Sequence, residues 1–166
     1  KNFGKYSIIY RNNSPENIDK LKKFRLKCKI KRIPFFVANN INLIKALKAD
    51  GLYISAYNKK LISNYLRRNF KIIGSAHNIK EINLKKLQGC TEIILSRLFK
   101  TSYKNKKDFL GVIKFNLLSK LMNTTLTPLG GINLKNLNNL KNVNCENVAL
   151  SSLVKKESNK IHTSLR

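Results

Sequence analysis

Short apolar runs alternate with stretches of helical period along most of this chain. Tyr6-Ser7-Ile8-Ile9-Tyr10 reads as a strand. Ser14-Pro15-Glu16 then opens a helix, with Ser14 as N-cap and Pro15 at the first helical position. Ile18, Leu21, Lys22 and Arg25 follow at helical spacing. Ile33 to Ala38 is the next strand and Ile41 to Leu47 the next helix. Gly51-Leu52-Tyr53-Ile54 is a third strand, followed by a helix near Lys59 to Arg68. Phe70 to Gly74 is a fourth strand and Ile79 to Leu87 its helix. Thr91 to Leu95 follows as a strand, then a long basic loop from Ser96 to Asp108, then a helix over Leu110 to Leu121. Thr124 to Leu129 and Asn147 to Leu150 are the last strands, with a helix over Leu134 to Leu140 between them.

Strands and helices in strict alternation imply a parallel sheet with helices outside it. The strands are apolar on both faces, as parallel strands covered on both sides should be. A length of 166 residues suits one domain with a real core. The pattern assigns residues 1–157 to that domain and 158–166 to a polar tail.

Composition changes the picture in one respect. Lys and Arg number 34 against 8 Asp and Glu, a formal net charge of +26. Such an excess raises the possibility of a nucleic-acid partner. The basic residues are spread along the whole chain, however, with no arginine-rich arm, and 23 Asn accompany them. Drift of solvated positions toward Lys and Asn in an AT-rich genome accounts for that pattern, so nucleic acid is not the expected partner. Cys28, Cys90 and Cys145 are odd in number and lack a C-x-x-C spacing. They suit a reducing compartment, the cytoplasm, with each thiol packed as a small apolar group. No apolar run approaches the ~20 residues that span a bilayer.

The candidate chemistry sits in Thr127-Pro128-Leu129-Gly130-Gly131-Ile132-Asn133 and Val148-Ala149-Leu150-Ser151-Ser152. Gly130 and Gly131 let a ligand approach the main chain. Asn133 is a good N-cap, and Ser151 and Ser152 sit where a helix could begin. Two successive strand-to-helix turns of this kind make a phosphate site, which in (β/α)8 barrels lies after the last two strands.

Together with these turns, three further segments carry a family likeness: Leu47-Lys48-Ala49-Asp50-Gly51-Leu52-Tyr53-Ile54, Ile73-Gly74-Ser75-Ala76-His77-Asn78 and Phe99-Lys100-Thr101-Ser102-Tyr103-Lys104. In order and spacing they resemble the thiamine phosphate synthase/TenI family over roughly Ile8 to Leu153. The resemblance implies a TIM (β/α)8 barrel. It aligns the strand ending at Arg11 with the family's second, so the first strand would lie upstream of Lys1 and this chain would lack it.

The resemblance also implies the chemistry. The synthase joins a hydroxymethylpyrimidine diphosphate to a thiazole phosphate and releases diphosphate, with Mg²⁺. It implies catalytic roles for Arg11, His77 and Lys104, and phosphate-binding roles for Ser75, Thr101, Gly130, Gly131, Ser151 and Ser152. The family's acidic metal ligands fall on Asn39 and Asn58, and a Lys falls on Asn13. Neutral amides imply a degraded metal site. Mg²⁺ is then the cofactor only if synthase activity is retained. The alternatives are a TenI-like, metal-independent thiazole tautomerase, in which His77 moves the proton, and a non-catalytic binder of a phosphorylated thiazole or pyrimidine. A nucleic-acid binder is the remaining class. Asp50, before Gly51, is expected to cap or pair locally.

Overall fold

The computed structural model describes residues 6–11, 17–101 and 108–151. The chain divides into two compact units, Lys1–Ser75 with Lys80–Thr91, and Ala76–Ile79 with Glu92–Arg166.

In the first unit, β1 (Ile8–Tyr10), α1 (Ile18–Ile30), β2 (Phe35–Ala38), α2 (Ile41–Leu47), β3 (Gly51–Ile54), α3 (Asn64–Asn69), β4 (Lys71–Ala76) and α4 (Ile79–Leu87) alternate without exception. Each strand pairs in parallel with the next. The register sets Tyr10 beside Val37, Ala38 beside Tyr53 and Ile54 beside Gly74. Phe35, Val37, Leu52, Ile54, Ile72 and Ile73 are buried, as expected of strands covered on both faces. All four strands run the same way, so their carboxyl ends share one edge.

The second unit holds β5 (Glu92–Ser96), α5 (Gly111–Leu121) and β6 (Thr125–Leu129), followed by a 3₁₀ helix over Leu134–Asn142. β5 and β6 pair in parallel from Glu92–Thr125 to Ser96–Leu129. Thr127 is buried within β6, and its hydroxyl donates to Glu92 Oε1 at 2.6 Å.

The α/β parallel architecture expected from the sequence is present, with six described strands against the eight of a full barrel. Four expectations need correction. First, α1 begins at Ile18, with Asn17 capping Asp19 and Lys20. The cap was expected at Ser14, which lies with Pro15 outside the described residues. Second, the helix expected from Lys59 starts only at Asn64, after Ser63 at the N-cap position. Residues 58–60 cannot join it: the Asn58 side chain takes the Lys60 N–H, and the Asn58 and Lys60 carbonyls accept from Lys85 of α4 and from Gln88 just after it.

Third, the segment after Asn133 is a 3₁₀ helix. Leu134, Leu137 and Leu140 recur every third residue, the period of a 3₁₀ turn, and the intervening Asn residues disfavour an α-helix. Fourth, the strand expected over Asn147–Leu150 shrinks to one bridge, Leu129 to Ala149, closed by Ala149 N–H on Pro128 O at 3.0 Å. Val148 and Leu150 are both exposed, so no buried face sustains a ladder there.

No helix among the described residues is long and apolar enough to cross a membrane. Cys28 and Cys90 are buried and Cys145 is half-buried, so two of the three pack as the sequence suggested. Burial pushes the Cys90 thiol up to about 12, against the smaller opposing pull of Lys85 and Arg67. A raised thiol pKa contributes stability that is intact below the ordinary value of 9.0 and is lost as pH climbs from there toward 12. A charged disulfide reagent at pH 8 should therefore modify Cys145 first and reach Cys90 about 100-fold more slowly than in denaturant. Equal rates at the two thiols, read by peptide mass, would contradict the packing.

Candidate functional site

The carboxyl edge of the first unit carries Arg11 directly after β1, Asn39 after β2, Ser55 after β3 and Ser75 near the end of β4. Arg11 is exposed and Ser75 is buried at 8%. Asn39 adopts a left-handed backbone, φ 55°, a conformation asparagine tolerates better than most residues. Its side chain then reaches across to the loop after β3. Asn39 Nδ2 donates to Ser55 Oγ at 2.8 Å and to the Tyr57 hydroxyl at 3.2 Å. Asn39 Oδ1 accepts from Ser55 N–H at 3.1 Å and from Asn58 Nδ2 at 3.0 Å. Asn58 Oδ1 accepts from Lys60 N–H at 3.1 Å. The two expected metal positions are thus brought together, hydrogen-bonded to each other.

Below this loop lies a feature the sequence did not single out. Lys85 of α4 is fully buried, 0% exposed. Its ammonium donates to Ser55 O at 2.9 Å, Asn58 O at 2.8 Å and Gln88 Oε1 at 2.9 Å. Desolvation lowers its pKa, with Cys90 and Glu81 opposing the shift.

In the second unit the ends of β5 and β6 stay joined beyond the strands. Leu98 N–H donates to Leu129 O at 2.9 Å, and Phe99 N–H to Gly130 O at 3.0 Å. Gly130 and Gly131 both have positive φ, 97° and 73°. A Cβ on Gly131 would overlap the Phe99 and Lys100 carbonyls. The main chain of residues 99 and 100 packs against Gly131 on its Cβ side. Asn133 caps the 3₁₀ helix as expected, in a reciprocal box with Asn136, and both side chains donate to Gly131 O.

Arg97, also missed in the sequence, lies against Gly130 and donates from Nη1 to Thr101 Oγ1 at 3.1 Å. Its signal was an arginine two residues ahead of the Phe99–Lys104 segment. Thr101 and the Gly130-Gly131 turn are therefore brought close together. Ser151 is exposed and not helical, and His77 is exposed as the first residue after β4. Lys104 and Ser152 lie outside the described residues.

The family model described as thiamine monophosphate synthase matches residues 4–154. The chain belongs to this thiamine monophosphate synthase/TenI family. A thiamine-phosphate synthase of Prochlorococcus marinus subsp. pastoris is 32% identical over 143 residues, covering 84% of this chain and 40% of that protein. One of Persephonella marina is 30% identical over 134 residues, covering 80% and 64%. The chain thus spans roughly two-fifths to just under two-thirds of these two synthases.

Among solved structures, a thiamine phosphate pyrophosphorylase from Pyrococcus furiosus aligns over 97% of this chain and 83% of its own, with a TM-score of 0.72 at 16% identity. The native KDPGal structure aligns over 90% of this chain and 71% of its own, with a TM-score of 0.62 at 15% identity. Both show the fold alone.

The family resemblance implies Mg²⁺ at the positions of Asn39 and Asn58. Mg²⁺ favours oxygen ligands, usually with one or two carboxylates. Here Asn39 Oδ1 already accepts two hydrogen bonds and Asn58 Oδ1 one, and neither carries charge. Among the described residues no three His, Cys, Asp or Glu gather to hold a metal. As arranged, this pair does not fit the ion.

Proposed function

We propose that this chain is a synthase-type protein of thiamine biosynthesis with a retained phosphate-binding half and a weakened metal corner. The observation that carries this reading is the closed amide pair Asn39–Asn58, standing where the family resemblance calls for acidic ligands. In the second unit, the Gly130-Gly131 turn with Ser151 and Ser152 would take the thiazole phosphate, and Thr101 and Lys104 the diphosphate. In the first unit, Arg11 and Ser75 would face the pyrimidine diphosphate. Positive and N–H-rich groups hold a departing diphosphate by stabilising the charge it gains. The TenI-like alternative is favoured by the same neutral pair together with His77, exposed at the end of β4. An imidazole can take a proton and return it, as tautomerisation requires.

The test is formation of thiamine phosphate by the full chain from hydroxymethylpyrimidine diphosphate and thiazole phosphate, with and without Mg²⁺. The expected result is calorimetric binding of thiazole phosphate that chelator leaves unchanged, with slow turnover. Brisk Mg²⁺-dependent turnover would overturn the weakened corner. Neither product nor binding would overturn the phosphate site.

The variant Asn58→Asp should respond to the metal. It adds a carboxylate and removes one of the two donors on Asn39 Oδ1, leaving Ser55 N–H, so Mg²⁺ affinity should rise about 10-fold. Unchanged affinity by calorimetry would place any metal elsewhere.

A further inference from the structure

We propose that Lys85 and Gln88 are positioning residues that latch the loop after β3 and thereby fix Asn58 and Asn39. Lys85 and Gln88 lie one turn apart on the same face of α4 and the turn that ends it, and both are 0% exposed. An ammonium has three donors and a carboxamide two. All five are used: Lys85 on Ser55 O, Asn58 O and Gln88 Oε1, and Gln88 Nε2 on Asn58 O at 3.0 Å and Lys60 O at 2.7 Å. Four of these bonds end on carbonyls of residues 55, 58 and 60, the segment that carries Asn58.

The rest of the fold makes room for this. A Cβ on Gly74 would come within 3.0 Å of the Lys85 Cγ and Cδ and 2.8 Å of Cys90 Sγ, so a glycine in β4 opens the slot for the lysine stem. A buried charge is a costly way to fill space when an apolar side chain of similar volume would pack there. Such a charge suits a task that needs directed donors. Here the task is to hold a segment without regular structure at one height beneath Asn58. Asn58 Nδ2 then passes that placement to Asn39 Oδ1.

The consequence for ligand binding rests on the reading that this corner faces the diphosphate. Lys85→Met removes three donors at nearly constant length. Two measurements are made on the full chain: backbone amide exchange, and titration with inorganic diphosphate. In Lys85→Met, exchange at the Ser55 and Asn58 amides should accelerate about 100-fold while the α1 amides from Leu21 to Cys28 keep their wild-type rates. The dissociation constant for inorganic diphosphate should rise about 10-fold.

Unchanged exchange at Ser55 and Asn58 in a folded variant overturns the latch. Uniform acceleration across the first unit overturns it too, since it would mark a residue that only stabilises. Should Lys85→Met fail to fold, Gln88→Glu carries the same expectations. It keeps the partner of Lys85 but turns the donors facing Asn58 O and Lys60 O into an acceptor. Wild-type protein that ignores diphosphate overturns the assignment of the corner, and the exchange result still judges the latch.

Discussion

Replacing Asp50 with alanine lowers the stability of the first unit by about 2–3 kcal/mol, the cost of removing a charged acceptor from two donors at once. Asp50 Oδ2 accepts from Phe35 N–H at 2.7 Å, and Oδ1 pairs with Arg25 Nη2 at 2.9 Å. Phe35 is fully buried at the start of β2, and the Arg25 side chain is only 9% exposed. Without the carboxylate, the Phe35 amide loses its acceptor and Arg25 keeps Lys48 O and the face of the Phe35 ring. The Asp50 side chain is 44% exposed, which holds the loss below the ~3–5 kcal/mol of breaking a fully buried pair. Urea unfolding of Asp50→Ala beside Asp50→Asn measures it. A shift under about 0.5 kcal/mol, the range of an ordinary surface change, would show that the pair does not hold α1 to the sheet.

The second large effect is expected at Gly131. Alanine there meets two penalties. The left-handed backbone, φ 73°, costs an L-residue about 1–2 kcal/mol. The new methyl also runs into the Phe99 and Lys100 carbonyls, which are main chain and cannot swing aside. Gly111 supplies the control, since its φ is 71° and nothing lies within 4 Å of an added Cβ. Gly111→Ala should cost the backbone share alone. Gly131→Ala should cost at least twice as much, and should weaken thiazole phosphate binding about 10-fold or more by parting the β6 turn from residues 97–101. Equal losses for the two variants in thermal unfolding would mean that the close approach at Gly131 contributes nothing.

The alternation of β1 to β4 with α1 to α4 was legible because buried parallel strands are runs such as Phe35-Phe36-Val37 and Ile72-Ile73, which few other structures produce. The role of Asp50 was legible too, since an acid ahead of a strand glycine has few uses besides capping and pairing. Failures came where side chains compete with the backbone. Residues 59 and 60 were expected in the helix and are held out of it by Lys85 and Gln88 bonding the Asn58 and Lys60 carbonyls, of which the sequence gives no hint. Within α4 the apolar pattern even misleads: Leu87 is 66% exposed while Lys85 is 0% exposed. A lysine next to Lys86 and on the same helix as Lys80 reads as one more solvated cation. Its burial follows from the slot at Gly74 and three acceptors that only the folded chain assembles.

At the candidate site, Asn39 and Asn58 were paired by family resemblance and are paired in space. What the sequence could not show is that Asn39 Oδ1 is spent on Asn58 Nδ2 and Ser55 N–H, and Asn58 Oδ1 on Lys60 N–H. The glycines at 130 and 131 were read as an opening for a ligand. The structure adds a separate need for glycine at 131, the Phe99–Lys100 backbone pressed against it.

The amide network at Asn39 and Asn58 also gives this corner a chemical clock. Side-chain amides hydrolyse slowly in water, and each such event replaces an NH₂ donor with a carboxylate oxygen. At Asn58 that exchange would delete the bond to Asn39 and leave a negative charge in its place. At Asn39 it would strip Ser55 Oγ and the Tyr57 hydroxyl of their shared donor. In a protein with only 8 acidic residues, one deamidation here is a large local change of charge. Hydrolysis of either amide would thus move this corner toward the acidic composition that the family resemblance implies, without any change in the gene.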